Sequence, residues 1–73
     1  MKHPELDETL AILLAELGEE CQRTLQLLAQ LRLNHLTADQ MGDILAELTG
    51  SVVHLHVHTE GLQELISDEL ERL

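Results

Sequence analysis

The stretch Leu36-Thr37-Ala38-Asp39-Gln40-Met41 marks the start of a helix in the middle of the chain. Thr37 is a favourable N-cap, and Gln40 lies three residues later, where its side chain can bond back to the Thr37 amide. Leu36 and Met41 occupy the two positions of a hydrophobic staple, which fixes the direction in which the chain enters the helix. One helix therefore ends shortly before this stretch and a second begins within it, which predicts an antiparallel helical hairpin.

Apolar residues spaced alternately by three and four run outward from this cap in both directions. The first predicted helix covers about residues 4–34, because Pro4 suits a first turn and the acidic residues after it complement the positive helix N-terminus. The second covers about residues 38–72, so residues 1–73 form a single all-α helical-hairpin domain. The predicted seam, which forms the core of the bundle, comprises Leu10, Leu14, Leu17, Cys21, Leu28, Leu31, Met41, Leu45, Leu48, Val52, Leu55, Leu62 and Ile66.

The apolar stripes are wider than a two-stranded seam requires, and a lone hairpin has only one inner surface in which to bury them. Hydrophobic residues make up 44% of the chain, about a quarter of it is leucine, and aromatic residues are absent. Two hairpins would cover these stripes as a homodimeric four-helix bundle. A tetramer is the alternative if Val53 and Val57 form a further patch.

Glycines within the predicted helices need an explanation, because each costs a helix about 1 kcal/mol relative to alanine. Folding the chain about its turn brings Gly18 opposite Val53, Gly42 opposite Ala29, and Gly50 opposite Cys21. This pairing predicts that the two backbones approach closely at the small residues. The alternative is that Gly50 and Gly61 break the second helix.

Residues 51–59 alternate apolar and histidine side chains with a period of two, which is typical of a strand. The seven-residue spacing nevertheless continues through this segment without a change of phase, and a single strand would need a partner edge from another chain. We therefore predict a continuous helix, with strand pairing across a dimer or a kinked segment as the alternatives.

The histidines are the residues that suggest binding chemistry. His54 and His58 are four apart, so in a helix they project from one face with the spacing of two ligands to Zn2+ or Ni2+. Across the hairpin, Glu16 and Glu20 could complete a site of two histidines and two carboxylates. No established metal motif contains these residues, so we expect no cofactor. The alternatives to a metal site are that the histidines are solvated or that they respond to pH.

No grouping of residues predicts catalysis. Ser51 and Ser67 lack the nearby base and orienting group that a nucleophile needs, and the chain has no glycine-rich phosphate loop. Cys21 is expected to be a small core hydrophobe. We therefore expect that the protein is not an enzyme.

The net charge of −10, with only four lysine and arginine residues, opposes contact with nucleic acid or an anionic membrane. No apolar run approaches the roughly 18 residues of a membrane span, and no signal peptide is expected. A single cysteine is typical of a reducing compartment, so we expect a cytoplasmic protein.

Acidic residues concentrate at the end of the hairpin that holds both termini. Three of them, Glu64, Asp68 and Glu71, lie near the end of the second helix, where the helix dipole favours cations. Our hypothesis is a non-catalytic adaptor, inhibitor or regulatory subunit that docks these residues onto a basic protein. One alternative is a purely structural oligomerisation module, in which the acidic residues only keep the helix end solvated. The other is a metal sensor or store that binds metal through its histidines.

Overall fold

The computed structural model describes residues 5–73, and every regular element in that range is a helix. The helices are α1, Glu8–Leu31; α2, Ala38–Thr59; and α3, Leu62–Arg72. α1 and α2 pack side by side in opposite directions, and α3 continues beyond a bend to contact the start of α1. The predictions of an all-α fold and a helical hairpin are therefore confirmed. Within that range, none of the three helices combines the length and the hydropathy needed to cross a membrane.

The turn between α1 and α2 has the predicted capping box. Thr37 Oγ1 accepts a hydrogen bond of 3.0 Å from the Gln40 amide, and Gln40 Oε1 accepts one of 2.9 Å from the Thr37 amide. α1 ends at Leu31 rather than near Asn34. The chain reverses beyond it, where His35 adopts a left-handed conformation with φ of 67°.

α1 also begins later than predicted. The Asp7 side chain accepts a hydrogen bond of 3.1 Å from the Leu10 amide and so provides the N-cap, with Glu8 as the first helical residue. Residues 5–7 are not helical, so the predicted start at residue 4 is wrong over those positions. Pro4 itself lies outside the described residues.

A single second helix over residues 38–72 is also wrong, because the chain bends between α2 and α3. Glu60 has extended backbone angles, and Gly61 has φ of 79°, a left-handed conformation that glycine adopts without steric cost. Residues 51–59 are helical as predicted, and Gly50 lies inside α2 without interrupting it. Gly61 therefore breaks the helix, whereas Gly50 does not.

The predicted close approach of the backbones is wrong. A Cβ atom added at Gly18, Gly42 or Gly50 would meet no atom within 4 Å. These glycines therefore face open space in the single chain rather than the neighbouring helix.

Six of the thirteen residues predicted for the core of the bundle lie outside the seam of the single chain. The described structure buries Leu10, Leu27 and Leu62 and half-buries the predicted positions Leu14, Leu17, Leu31, Leu48 and Leu55. The predicted core residues that are exposed instead are Cys21, Leu28, Met41, Leu45, Val52 and Ile66.

At two of these positions a polar neighbour lies in the seam instead of the predicted apolar residue. Glu20 and Ser51 lie between the helices in place of the adjacent Cys21 and Val52. Their polar atoms bond to each other, which removes the penalty of enclosing them. The apolar neighbours are consequently turned out of the seam.

The resulting molecule is flat. Its principal extents are 53 × 26 × 14 Å, which corresponds to one layer of helices. One layer has a single inner seam, so most of the leucine surface has nothing packed against it.

Candidate functional site

A polar cluster lies in the middle of the seam between α1 and α2. Ser51 is only 2% exposed, and its hydroxyl donates a hydrogen bond of 2.7 Å to Glu20 Oε1. The Thr24 hydroxyl lies 2.6 Å from Ser51 Oγ and also donates to the Glu20 backbone carbonyl at 2.9 Å. The cluster thus satisfies each of its polar side chains within the hairpin.

The Ser51 hydrogen bond is the main reason that the pKa of Glu20 lies below its usual value, with the charges of nearby His54 and Arg23 acting in the same direction. Glu20 is therefore a charged acceptor at neutral pH. Because the Ser51 hydroxyl is enclosed between the helices, it cannot reach a substrate as a nucleophile. The arrangement supports the packing of α1 on α2.

The predicted histidine and glutamate residues approach each other in pairs. His54 Nδ1 lies 3.6 Å from Glu20 Oε2, and His58 Nε2 lies 3.9 Å from Glu16 Oε2. His58 Nε2 is also 2.9 Å from the backbone carbonyl of Leu13. Residues 5–73 contain no group of three or more histidine, cysteine or acidic side chains placed to hold one metal ion. The four predicted ligands therefore form two separate pairs, not one site.

Glu69 holds α3 against the start of α1. Its carboxylate accepts hydrogen bonds from the Asp7 amide and from Arg72 Nε, and Arg72 also donates to the Glu5 carbonyl at 2.6 Å. The Arg72 hydrogen bond, followed by that of the Asp7 amide, keeps the pKa of Glu69 below its usual value. This contact was not predicted: the spacing of three between Glu69 and Arg72 indicates only their own ion pair, and the bonds of the two residues to Asp7 and Glu5 have no local signal in the sequence.

The other acidic residues of α3 form an exposed stripe, defined by Glu64, Asp68 and Glu71. Their spacing of four and three places them on one side of the helix. Among residues 5–73, none of the three lies within ion-pairing distance of a basic group. Glu64 and Asp68 also line a shallow groove at the bend, next to Glu60 and Gly61. The α3 acidic stripe is thus free to meet a cationic surface from solvent.

One broad side of the hairpin, which we term the apolar face, carries the half-buried Leu14 and five of the predicted core residues that are exposed in the single chain. A step of one residue beyond a seam position rotates a side chain by about 100° about the helix axis. Because α1 and α2 are antiparallel, the same step brings the side chains of both helices to the same side of the layer. The apolar face comprises Leu14, Cys21 and Leu28 of α1, and Met41, Leu45 and Val52 of α2.

The opposite side of the hairpin, which we term the polar face, carries ion pairs between the helices. Arg23 Nη2 lies 3.8 Å from Glu47 Oε2, and the exposed partners of the other two pairs, Glu16 and His54, lie along the same side. The two broad sides of one flat molecule therefore differ completely in chemistry.

Comparisons of the chain with protein-family models, with curated proteins and with solved structures found no match. The proposals that follow depend on the residues and geometry of the chain alone.

Proposed function

We propose that the chain is a non-catalytic interaction protein that functions as a homodimer, in which two hairpins form a four-helix bundle. The observation that carries this proposal is the uncovered apolar face of a molecule only 14 Å thick. Leu28, Met41, Leu45 and Val52 on that face are between 42% and 54% exposed. A contiguous apolar surface of this kind is typical of a protein interface.

The shallow core supports the same proposal. Leu10, Leu27 and Leu62 are the buried apolar residues of the described range, and a chain of 73 residues needs more burial than this to offset its conformational entropy. A second layer of helices would supply it. Folding and association are then expected to be coupled.

We propose further that the dimer binds a basic protein through the α3 acidic stripe. Asp68 and Glu71 lie in the last turns of α3, where carboxylates interact unfavourably with the helix dipole. A cationic partner would relieve that interaction, and the net charge of −10 would speed its approach. The proposed compartment is the cytoplasm, which the single cysteine supports.

Sedimentation equilibrium over the micromolar range tests the homodimer. We expect a mass of twice the 8.2 kDa of the single chain. Circular dichroism on the same samples should show helix content falling when the dimer dissociates on dilution. A stable, fully helical monomer at all concentrations would refute the homodimer.

Affinity capture from the native host tests the basic partner. The variant Glu64→Lys/Asp68→Lys is compared with Glu19→Lys/Asp43→Lys, which changes the net charge equally at exposed positions away from α3. A basic protein retained by the wild type and the control, and lost by the α3 variant, would support docking at the stripe. Equal retention by all three proteins, or retention by none, would leave the purely structural module as the function.

A further inference from the structure

We propose that the second copy of the chain docks on the apolar face, and that Cys21 lies within that contact. This inference rests on the proposed homodimer and assigns its interface. Cys21 lies midway between Leu14 and Leu28 on α1 and on the same side of the layer as Val52, so a chain that covers this side would bury the thiol as well.

Charge favours a second copy on this side of the molecule. No charged residue lies on the apolar face between Leu14 and Leu28 of α1, where the intervening positions on that side are Gly18 and Leu25. None lies between Met41 and Val52 of α2. Two chains that each carry a charge of −10 repel each other, and this uncharged side lets them meet without bringing carboxylates together.

The polar face is a poor alternative for the same contact. Arg23 and Glu47 are 55% and 58% exposed there, so a partner chain would have to remove both charges from water. Glu16 and His54 would be desolvated with them. The cost of burying these groups makes the apolar face the favoured side for a second layer of helices.

The dimensions of the hairpin meet the requirement of a stable dimer. Each partner in a typical specific interface contributes about 800 Å2 of surface. The broad side of the molecule, with α3 and the turn included, has outer dimensions of 53 × 26 Å, so a contact of that size fits within it. A twofold axis between two such faces uses the same surface on both chains and closes the assembly, so no apolar face is left open. The observations therefore favour a second copy over a different protein.

A pair of neighbouring valines provides a matched test. Val52 lies on the apolar face and is 54% exposed, whereas Val53 points to the outer edge of α2 and is 53% exposed. Val52→Asp places a charge from each chain in the proposed contact and should weaken dimerisation by at least about tenfold. Val53→Asp should leave the dissociation constant within about twofold of the wild-type value. Sedimentation equilibrium and circular dichroism on all three proteins measure this difference.

The outcomes separate the two proposals. Dimers of unchanged affinity in Val52→Asp would refute the assigned face and leave the homodimer standing. Stronger dissociation by Val53→Asp than by Val52→Asp would likewise refute the face. A well-folded wild-type monomer would refute the homodimer and the face together.

The reactivity of Cys21 provides a second measurement, which does not require the Val52→Asp chain to fold. Cys21 is exposed in the single chain, so a bulky thiol reagent would reach it freely in a monomer. In the proposed dimer, we expect its reaction to be at least about tenfold slower than that of the control Cys21→Ser/Val53→Cys. The wild-type rate should rise as the protein is diluted through the dimer dissociation constant. Equal rates for the two dimeric proteins would refute the placement of Cys21 in the interface.

Discussion

Replacing a glycine by alanine should have opposite effects at Gly61, which forms the bend, and at Gly50, which lies inside α2. Gly61 has φ of 79°, and a left-handed backbone costs an L-residue about 1–2 kcal/mol. An added Cβ at Gly61 meets no atom within 4 Å, so neither a clash nor a new contact changes this value. Alanine also reduces the conformational entropy of the unfolded chain, and this offsets about 0.4–1 kcal/mol of the cost. Gly61→Ala should therefore destabilise the protein by about 1 kcal/mol or slightly less.

Gly50→Ala is the matched control. Gly50 lies inside α2, and its added Cβ also meets no atom within 4 Å. Alanine in a helix interior is more favourable than glycine by about 0.5–1 kcal/mol, so this variant should be more stable than the wild type. The two variants should therefore differ by about 1–2 kcal/mol with opposite signs relative to the wild type.

Urea unfolding followed by circular dichroism, at one fixed protein concentration, measures both variants. The fixed concentration is needed because the stability of a dimer depends on concentration. Stabilisation by Gly61→Ala as large as that by Gly50→Ala would mean that the helix runs through Gly61, and the bend would be refuted.

Three further predictions follow from the caps and the polar contacts. Thr37→Ala should lower the free energy of unfolding by about 1 kcal/mol in the same urea assay, because it removes the side-chain half of the capping box; an unchanged value would contradict that cap. Glu69→Gln should lower the free energy of unfolding at neutral pH. The difference in this free energy from the wild type should shrink as the pH falls below the ordinary carboxyl pKa of 4.5, because Glu69, whose pKa is lowered, stabilises the fold only while it is charged. Unfolding curves at several pH values test this sign, and a difference that grows in acid would refute it. Isothermal titration with Zn2+ should show the same weak binding for the wild type and for His54→Ala/His58→Ala, because the structure forms two separate pairs of possible ligands; tight binding by the wild type alone would instead establish a metal site.

The helix boundaries that depend on local chemistry could be predicted, and the others could not. The spacing of Thr37 and Gln40 determines the start of α2, because both bonds of the capping box form within four residues. The start of α1 also had a local signal, because Asp7 is a favoured N-cap residue and its side chain accepts from the Leu10 amide, but the prediction gave more weight to Pro4. Only the hydrogen bond from the Asp7 amide to Glu69, which crosses the whole chain, has no local signal. A break at Gly61 was the alternative to a continuous second helix. The seven-residue pattern that runs through Gly61 favoured the continuous helix.

The seam was predicted in half of its positions because counting apolar residues does not distinguish neighbours of the same kind. Leu27 is 3% exposed and Leu28 is 42% exposed, although both are leucine. In α2 the spacing of apolar residues favoured Val52 over its neighbour Ser51, but the structure buries the serine. The residues predicted for the core of the two-hairpin bundle that lie outside the seam of the single chain include five of the six that define its apolar face. The proximity of His54 to Glu20 was nevertheless predicted correctly, because it depends only on where the turn lies.

The polar cluster in the seam also favours one alignment of α2 along α1. Leu48 and Leu55 are seven residues apart, so the leucines of α2 alone would not distinguish a shift of one heptad. The same shift would bring either Ile44 or His58 to the place of Ser51 beside Glu20. Isoleucine offers the carboxylate no proton, and the imidazole is much larger than the hydroxyl that fits there at 2.7 Å. The short turn between the helices sets the observed alignment, and the hydrogen bond between Ser51 and Glu20 adds a preference for it that the repeating leucines do not supply.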